Sequence, residues 1–142
     1  MKTTIYGRDL EVRKWVAVRV GEEDFEGGVA IGLEEDGEII AGVVYTHFTQ
    51  ASITAHIAAA PGKRWMNKEF LRRIFAYPFV QLKCNRITGL VRVDNLDAQR
   101  FDEHLGFKRE GLLRQACTDG TDMILYGMLR SECRFLGDRY AV

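Results

Sequence analysis

Two apolar runs flank Glu35-Asp36-Gly37 in the stretch VAIGLEEDGEIIAGVVYTHF. Asp-Gly between such runs turns the chain back on itself within two residues and pairs the runs as an antiparallel hairpin. A third extended run, SITAHIAAA, follows at once. The two-residue period of a strand places Ile53, Ala55, Ile57 and Ala59 on one face and Ser52, Thr54, His56 and Ala58 on the other. The chain is therefore committed to a sheet of at least three consecutive strands.

The remaining segments decide what covers that sheet. DLEVRKWVAVRV, from Asp9, carries both a helical stripe (Val12, Trp15, Val16, Val20) and a strand-like alternation (Val16, Val18, Val20). Asp9 as an N-cap and Gly21 as a stop favour the helix. After the third strand, Met66, Phe70, Leu71, Ile74 and Phe75 recur at helical spacing, with Pro78 limiting that helix. RITGLVRV reads as a buried strand. NLDAQRFDEHLGF reads as a second amphipathic helix, capped by Asn95, ended by Gly106, with Leu96, Ala98, Phe101 and Leu105 inward. FKREGLLRQAC and DMILYGMLR are two more strands joined through Asp119-Gly120, and SECRFL near the end offers Phe135 and Leu136 as a small apolar cap. The order implies one α/β domain over residues 1–142, a helix-flanked mixed sheet with a parallel crossover in its middle.

Composition narrows the partners. Twenty Lys and Arg balance twenty Asp and Glu, so the chain as a whole has no electrostatic pull toward nucleic acid or an anionic membrane. The beginning, MKTTIYGRDLEV, has no apolar core of the kind a signal peptide needs, and no apolar run approaches a membrane span. Three widely spaced cysteines without a CxxC pair fit reduced thiols in a cytoplasm better than disulfides or zinc.

One loop asks for a ligand. In AAAPGKRWMNKEFLRRIF, Pro61-Gly62 is followed by Lys63 and Arg64 at what reads as the start of a helix. Unpaired N–H groups and the helix dipole make such a start attractive to a phosphate or diphosphate. The plainer reading is a pair of solvated cations. Neither GxxxxGK[ST] nor GxGxxG is present.

A second motif bears on the ligand through a resemblance. Asn95-x-x-Ala98-x-x-Phe101-x-x-x-Leu105-Gly106-Phe107-x-x-Glu110-Gly111 resembles the N-x-x-A-x-x-[FY]-[YF]-x-x-L-G-F-x-x-E-G segment of the GNAT superfamily of acyl-CoA N-acyltransferases. The order of elements from about Val29 to Arg130 is similar too. The resemblance implies a mostly antiparallel sheet with one splayed parallel strand pair and helices on both faces. It implies acetyl-CoA as cosubstrate, with backbone groups of Ile57, Ala58 and Ala59 meeting the pantetheine arm. Residues Gly62, Lys63, Arg64, Trp65, Met66 and Asn67 would lie against the pyrophosphate, with Asn95 and Phe101 as further cofactor contacts. Two departures stand out. PGKRWMN does not match the family's [QR]-x-x-G-x-[GA] loop, and Trp65 falls where a small residue is usual. Asp102 occupies the helix position that is often a tyrosine donating a proton to the departing thiolate. A carboxylate ionised in its usual range would repel that thiolate instead.

Acyl transfer to an amine needs a neutral nitrogen, a polarised thioester carbonyl and a route for the thiolate. Backbone N–H groups near Ile57 to Ala59 suit the carbonyl. His56 is the candidate base by position and ordinary pKa; its alternative is a polar residue on the less buried sheet face. His47 is a weaker candidate, and His104 points outward on its helix. Tyr45 and Tyr126 become proton donors only if they reach the cleft. The acidic GEEDFEGG would attract a cationic substrate only if it borders the cleft. The leading expectation is an acetyl-CoA-dependent N-acetyltransferase acting on an amine of a small molecule or protein, with a homodimer as a further expectation. The alternative is a catalytically weak coenzyme A-binding or structural module of the same fold, such as a phage virion-associated protein.

Overall fold

In a computed structural model the chain is described over residues 1–137 and forms a seven-stranded sheet of order β1-β2-β3-β4-β5-β7-β6. The strands are β1 (Lys2–Ile5), β2 (Val29–Glu35), β3 (Glu38–Thr46), β4 (Ser52–Ala59), β5 (Arg86–Arg92), β6 (Lys108–Leu113) and β7 (Met123–Leu129). The helices are α1 (Asp9–Val20), α2 (Lys68–Ala76) and α3 (Leu96–Leu105). The hairpin turns where the Asp-Gly pair demands it. Asp36 and Gly37 have φ of 52° and 85°, both in the left-handed region that a two-residue turn between twisted strands requires. All neighbouring strands pair antiparallel except β4 and β5, which are parallel.

The helices sit on opposite faces. Val12 and Val16 of α1 pack with Ile5, Ala30, Val44 and Ala58 on one side of the sheet. Phe70, Leu71, Ile74 and Phe75 of α2 and Ala98 and Leu105 of α3 join the larger cluster on the other, against Ile31, Val43, Ile53, Ala55 and Ile87. Gly42 lets α1 lie close: a Cβ there would stand 2.9 Å from methyls of both Val12 and Val16. The β4 alternation is as the period demands, with Ala58 against α1 and Ile53 and Ala55 against α2 and α3.

Several local expectations change. The four-residue β1 was not anticipated. Asp9 is the first helical residue rather than the cap; its Oδ1 accepts the Ala30 N–H at 3.2 Å and ties the helix start to β2. Gly21 does end α1 in the left-handed conformation. Leu96 is 56% exposed, and the inward face of α3 is Ala98, Gln99, Asp102 and Leu105, with Phe101 half-buried. Pro78 ends α2 at Ala76, but the chain winds on through one π turn, Tyr77–Gln81. A proline cannot supply the N–H that the carbonyl four residues back, Ile74, would receive. The buried Tyr45 hydroxyl donates to that carbonyl instead, at 2.6 Å. Near the end, a short 3-10 turn over Arg130–Glu132 leads to Phe135, stacked 5.0 Å from Phe75, and to buried Leu136.

Candidate functional site

The parallel pair β4–β5 is joined only from Ser52↔Arg86 to Ala55↔Gly89. Beyond Ala55 the two strands part, while β4 stays paired with β3 as far as Ala59. The Ala60 N–H donates to the Ile40 carbonyl, so the alternating backbone turns His56 and Ala58 toward β3. Ile57 and Ala59 therefore present their N–H and C=O to the gap. Of the three residues expected to offer backbone there, Ala58 does not.

At the crotch of the gap is a narrow cavity of about 30 Å³, lined by Val20, Ala55, His56, Ile57, Leu90, Val91, Asn95, Ala98 and Asp102. Four elements, α1, β4, β5 and α3, thus bring together residues far apart in sequence. Asn95 caps α3, its side chain accepting the Ala98 N–H at 3.1 Å. Asp102 is 5% exposed, and its Oδ1 has no hydrogen-bond partner. Its Oδ2 lies beside Gly89, where a Cβ would stand 3.5 Å away. Burial, with the Glu103 carboxylate adding to it, pushes Asp102 up to about 8. The carboxyl therefore keeps its proton at neutral pH, contrary to the ionised state its ordinary pKa suggests.

His56 also lines the cavity, with its ring stacked 4.1 Å from Phe25 and its Nε2 2.9 Å from Thr46 Oγ1. Burial, and secondarily the neighbouring His47, lowers it to about 4. The imidazole is neutral at pH 7 but a weak base. Both tyrosines are engaged elsewhere: Tyr45 with Ile74, and Tyr126 donating to Glu103 Oε2 at 2.6 Å. Burial raises the Cys84 and Cys117 thiols, which leaves both poor nucleophiles. The acidic run approaches from the α1 face, where Asp24, Phe25 and Glu26 border a recess with Thr46 and His47.

At the open end of β4 is the cationic loop. A shallow recess of about 500 Å³ is lined by Lys2, Lys63, Arg64, Trp65, Met66 and Asn67. Lys2 was not foreseen; β1 carries it there, and its Nζ donates to the Arg64 carbonyl. Lys63 pairs with Glu35 at 3.3 Å, whereas Arg64 has no ion-pair partner among the described residues. The helix itself starts later than expected. Lys68 is its first residue, and the cap Asn67 accepts the Phe70 N–H at 2.8 Å. Lys63 and Arg64 therefore precede the helix by a turn of loop in which Gly62 has φ 76° and open space around it. Trp65 does not fill that space. It is 7% exposed, edge-on to Phe70 and Phe101, so Trp65 and Phe101 use their rings for packing, and Met66 is half-buried beside them. A larger cavity, about 510 Å³, lies at the β2 edge between Tyr6, Asp9 and the Arg72–Gln81 segment and shares no residue with the gap.

The chain has the fold of the GNAT acyltransferases, as the segment around Asn95 leads one to expect. Its fold matches a spermidine/spermine N-acetyltransferase, SpeG, of Vibrio cholerae with TM-score 0.70 at 18% identity, over 92% of this chain and 96% of that one. A ribosomal-protein-S5-alanine acetyltransferase of Vibrio fischeri matches with TM-score 0.62 at 16% identity, over 75% of this chain and 64% of that one. In sequence, the chain is 26% identical over 117 residues to YdaF of Bacillus subtilis (strain 168), a protein named for ribosomal N-acetyltransferase activity. That match covers 74% of this chain and 61% of the relative, so the chain spans under two thirds of the relative's length. No family model matches the chain. Among the described residues no helix is long and apolar enough to cross a membrane.

Proposed function

We propose that this protein is an N-acetyltransferase that moves an acetyl group from acetyl-CoA directly to an amine of a small molecule or protein. One observation carries the reading: β4 and β5 part between a cationic recess and a cavity holding a partnerless carboxyl. The residues present fit the cosubstrate. Arg64, Lys63 and Lys2 would hold the diphosphate, with Gly62 leaving room for close approach. The free peptide groups of Ile57 and Ala59 would pair with the pantetheine arm, and the Ile57 N–H would polarise the acyl carbonyl. Bound acetyl-CoA supplies the activated acyl group. The fold's own share is to orient it, to line the crotch with the apolar side chains of Val20, Leu90 and Val91, and to manage protons. His56 enters as a neutral imidazole already engaged by Thr46, which suits positioning or a water relay better than deprotonating an ammonium. The acceptor is proposed only as an amine. Relatives named for polyamine and for ribosomal acetylation share that chemistry and nothing narrower.

Calorimetric titration of acetyl-CoA into the protein tests this. Micromolar binding that weakens about tenfold in Arg64→Ala, the loss of about one charge-assisted hydrogen bond, is the expected result. No binding by the folded wild type would refute the reading.

A further inference from the structure

Among the described residues Asp102 is the one buried carboxyl that no other residue explains. Gln99, one turn earlier on α3, is fully used, giving hydrogen bonds to the Arg92 and Val93 carbonyls and accepting one from Arg109. Glu103, next to it, is held by Tyr126 and Arg109. Asp102 makes no side-chain hydrogen bond or ion pair among the described residues, and its Oδ1 is an orphan. A buried polar atom without a partner costs roughly 1–3 kcal/mol, and a purely structural position is filled at lower cost by an apolar side chain. Asp102 also lines the cavity at the crotch of β4 and β5, together with Ala55 and Ile57.

We propose that Asp102 is the proton donor of the transfer, its carboxylic acid group giving a proton to the sulfur as the acyl carbon leaves it. The inference rests on the transferase reading above and assigns a side chain to a step that reading leaves open. As the bond from the acceptor nitrogen to the acyl carbon forms, the carbon–sulfur bond breaks and its electron pair goes to sulfur. The Asp102 proton makes that sulfur a thiol. The proton shed by nitrogen returns through water to the Asp102 carboxylate, so no external acid or base is consumed.

The surroundings support this role. Glu103 on the same helix disfavours a second negative charge. Tyr126 of β7 is pushed up to about 12 by burial and by its bond to Glu103, so it stays a phenol. His56 of β4 is neutral, and Gly89 of β5 and Val20 of α1 bring no charge. Among the described residues no cation stands ready to hold the carboxyl ionised. Its proton is held about as firmly as that of an ordinary thiol, near 8.5, so transfer to a forming thiolate is close to balanced in energy.

The test begins with acetyl-CoA binding to the wild type. Its absence overturns the transferase reading and this inference together. Given binding, free CoA is added to the wild type and to Asp102→Asn, and the bound thiol is titrated by thiolate ultraviolet absorbance. Beside an acid that ionises in the same range, the thiol is harder to ionise. The expected result is a midpoint lower by about one pH unit or more in Asp102→Asn, with acetyl-CoA affinity unchanged within a few-fold. An unmoved midpoint with intact binding overturns the inference and leaves the transferase reading standing. A wild-type measurement guards against misfolding of the variant. The infrared carbonyl band of a protonated carboxyl at pH 7 is expected to shift when CoA binds, and an unresponsive band refutes the contact.

Discussion

A buried acid that keeps its proton makes the stability of the fold depend on pH in a direction opposite to most carboxylates. The folded state holds Asp102 up to about 8, against 3.8 for an ordinary aspartate. Between those values the unfolded chain has released a proton that the folded chain retains. Stability is therefore fully present below 3.8, falls as pH rises, and levels off above about 8. Each pH unit inside that window costs about 1.4 kcal/mol, so the loss from this group between pH 5 and pH 7 is about 3 kcal/mol. Asp102→Asn keeps the shape and abolishes the titration. Urea unfolding of both proteins at pH 5, 6 and 7 isolates the effect, because His56 and every other group titrates in both and cancels in the difference. Asp102→Asn is expected to gain on the wild type steadily, by about 3 kcal/mol over that range. A difference that stays constant across the three pH values would show that Asp102 ionises normally in the fold, and the burial argument would fail.

Other perturbations probe separate features. Tyr45→Phe strands the Ile74 carbonyl that Pro78 leaves without a helical donor, and should cost about 1–3 kcal/mol in urea unfolding. Phe70→Ala, at a fully buried position of α2, should cost about 3–5 kcal/mol by the same measurement. His56 should titrate by NMR with a midpoint near 4, well below the usual 6.5, so its burial contributes to acid lability. The stability it supports is present above 6.5 and is lost as pH falls toward 4. Asn95→Ala removes the α3 cap and should cost about 1 kcal/mol.

What could be read in the sequence follows from how local each cause is. The turn at Asp36-Gly37, the Asn95 cap and the Gly106 stop depend on backbone chemistry within a few residues, and each stands where the sequence puts it. The parallel crossover was legible because a helical period lies between two strand periods. The start of β1 was not, because KTTI is too short to show alternation, and so Lys2 was missed as a neighbour of the cationic loop. Leu96 misled because an apolar residue beside a cap looks the same whether it packs or points to solvent. Lys63 and Arg64 were placed at the helix start because Asn67, the real cap, was read as a pyrophosphate contact and not as a cap. The state of Asp102 was beyond reach, since its proton is kept chiefly by the packing of β4, β5 and α3 around it, with its sequence neighbour Glu103 adding a lesser share.

Gly42 sits on the far side of the sheet from α3, yet it bears on the cavity at Asp102. The same rigid helix whose Val12 and Val16 rest on that bare backbone carries Val20 into the cavity wall. A single added methyl, as in Gly42→Ala, would lift the helix and with it one wall of the crevice. The spacing of the walls is thus gauged on the neighbouring strand β3, by a side chain that is missing.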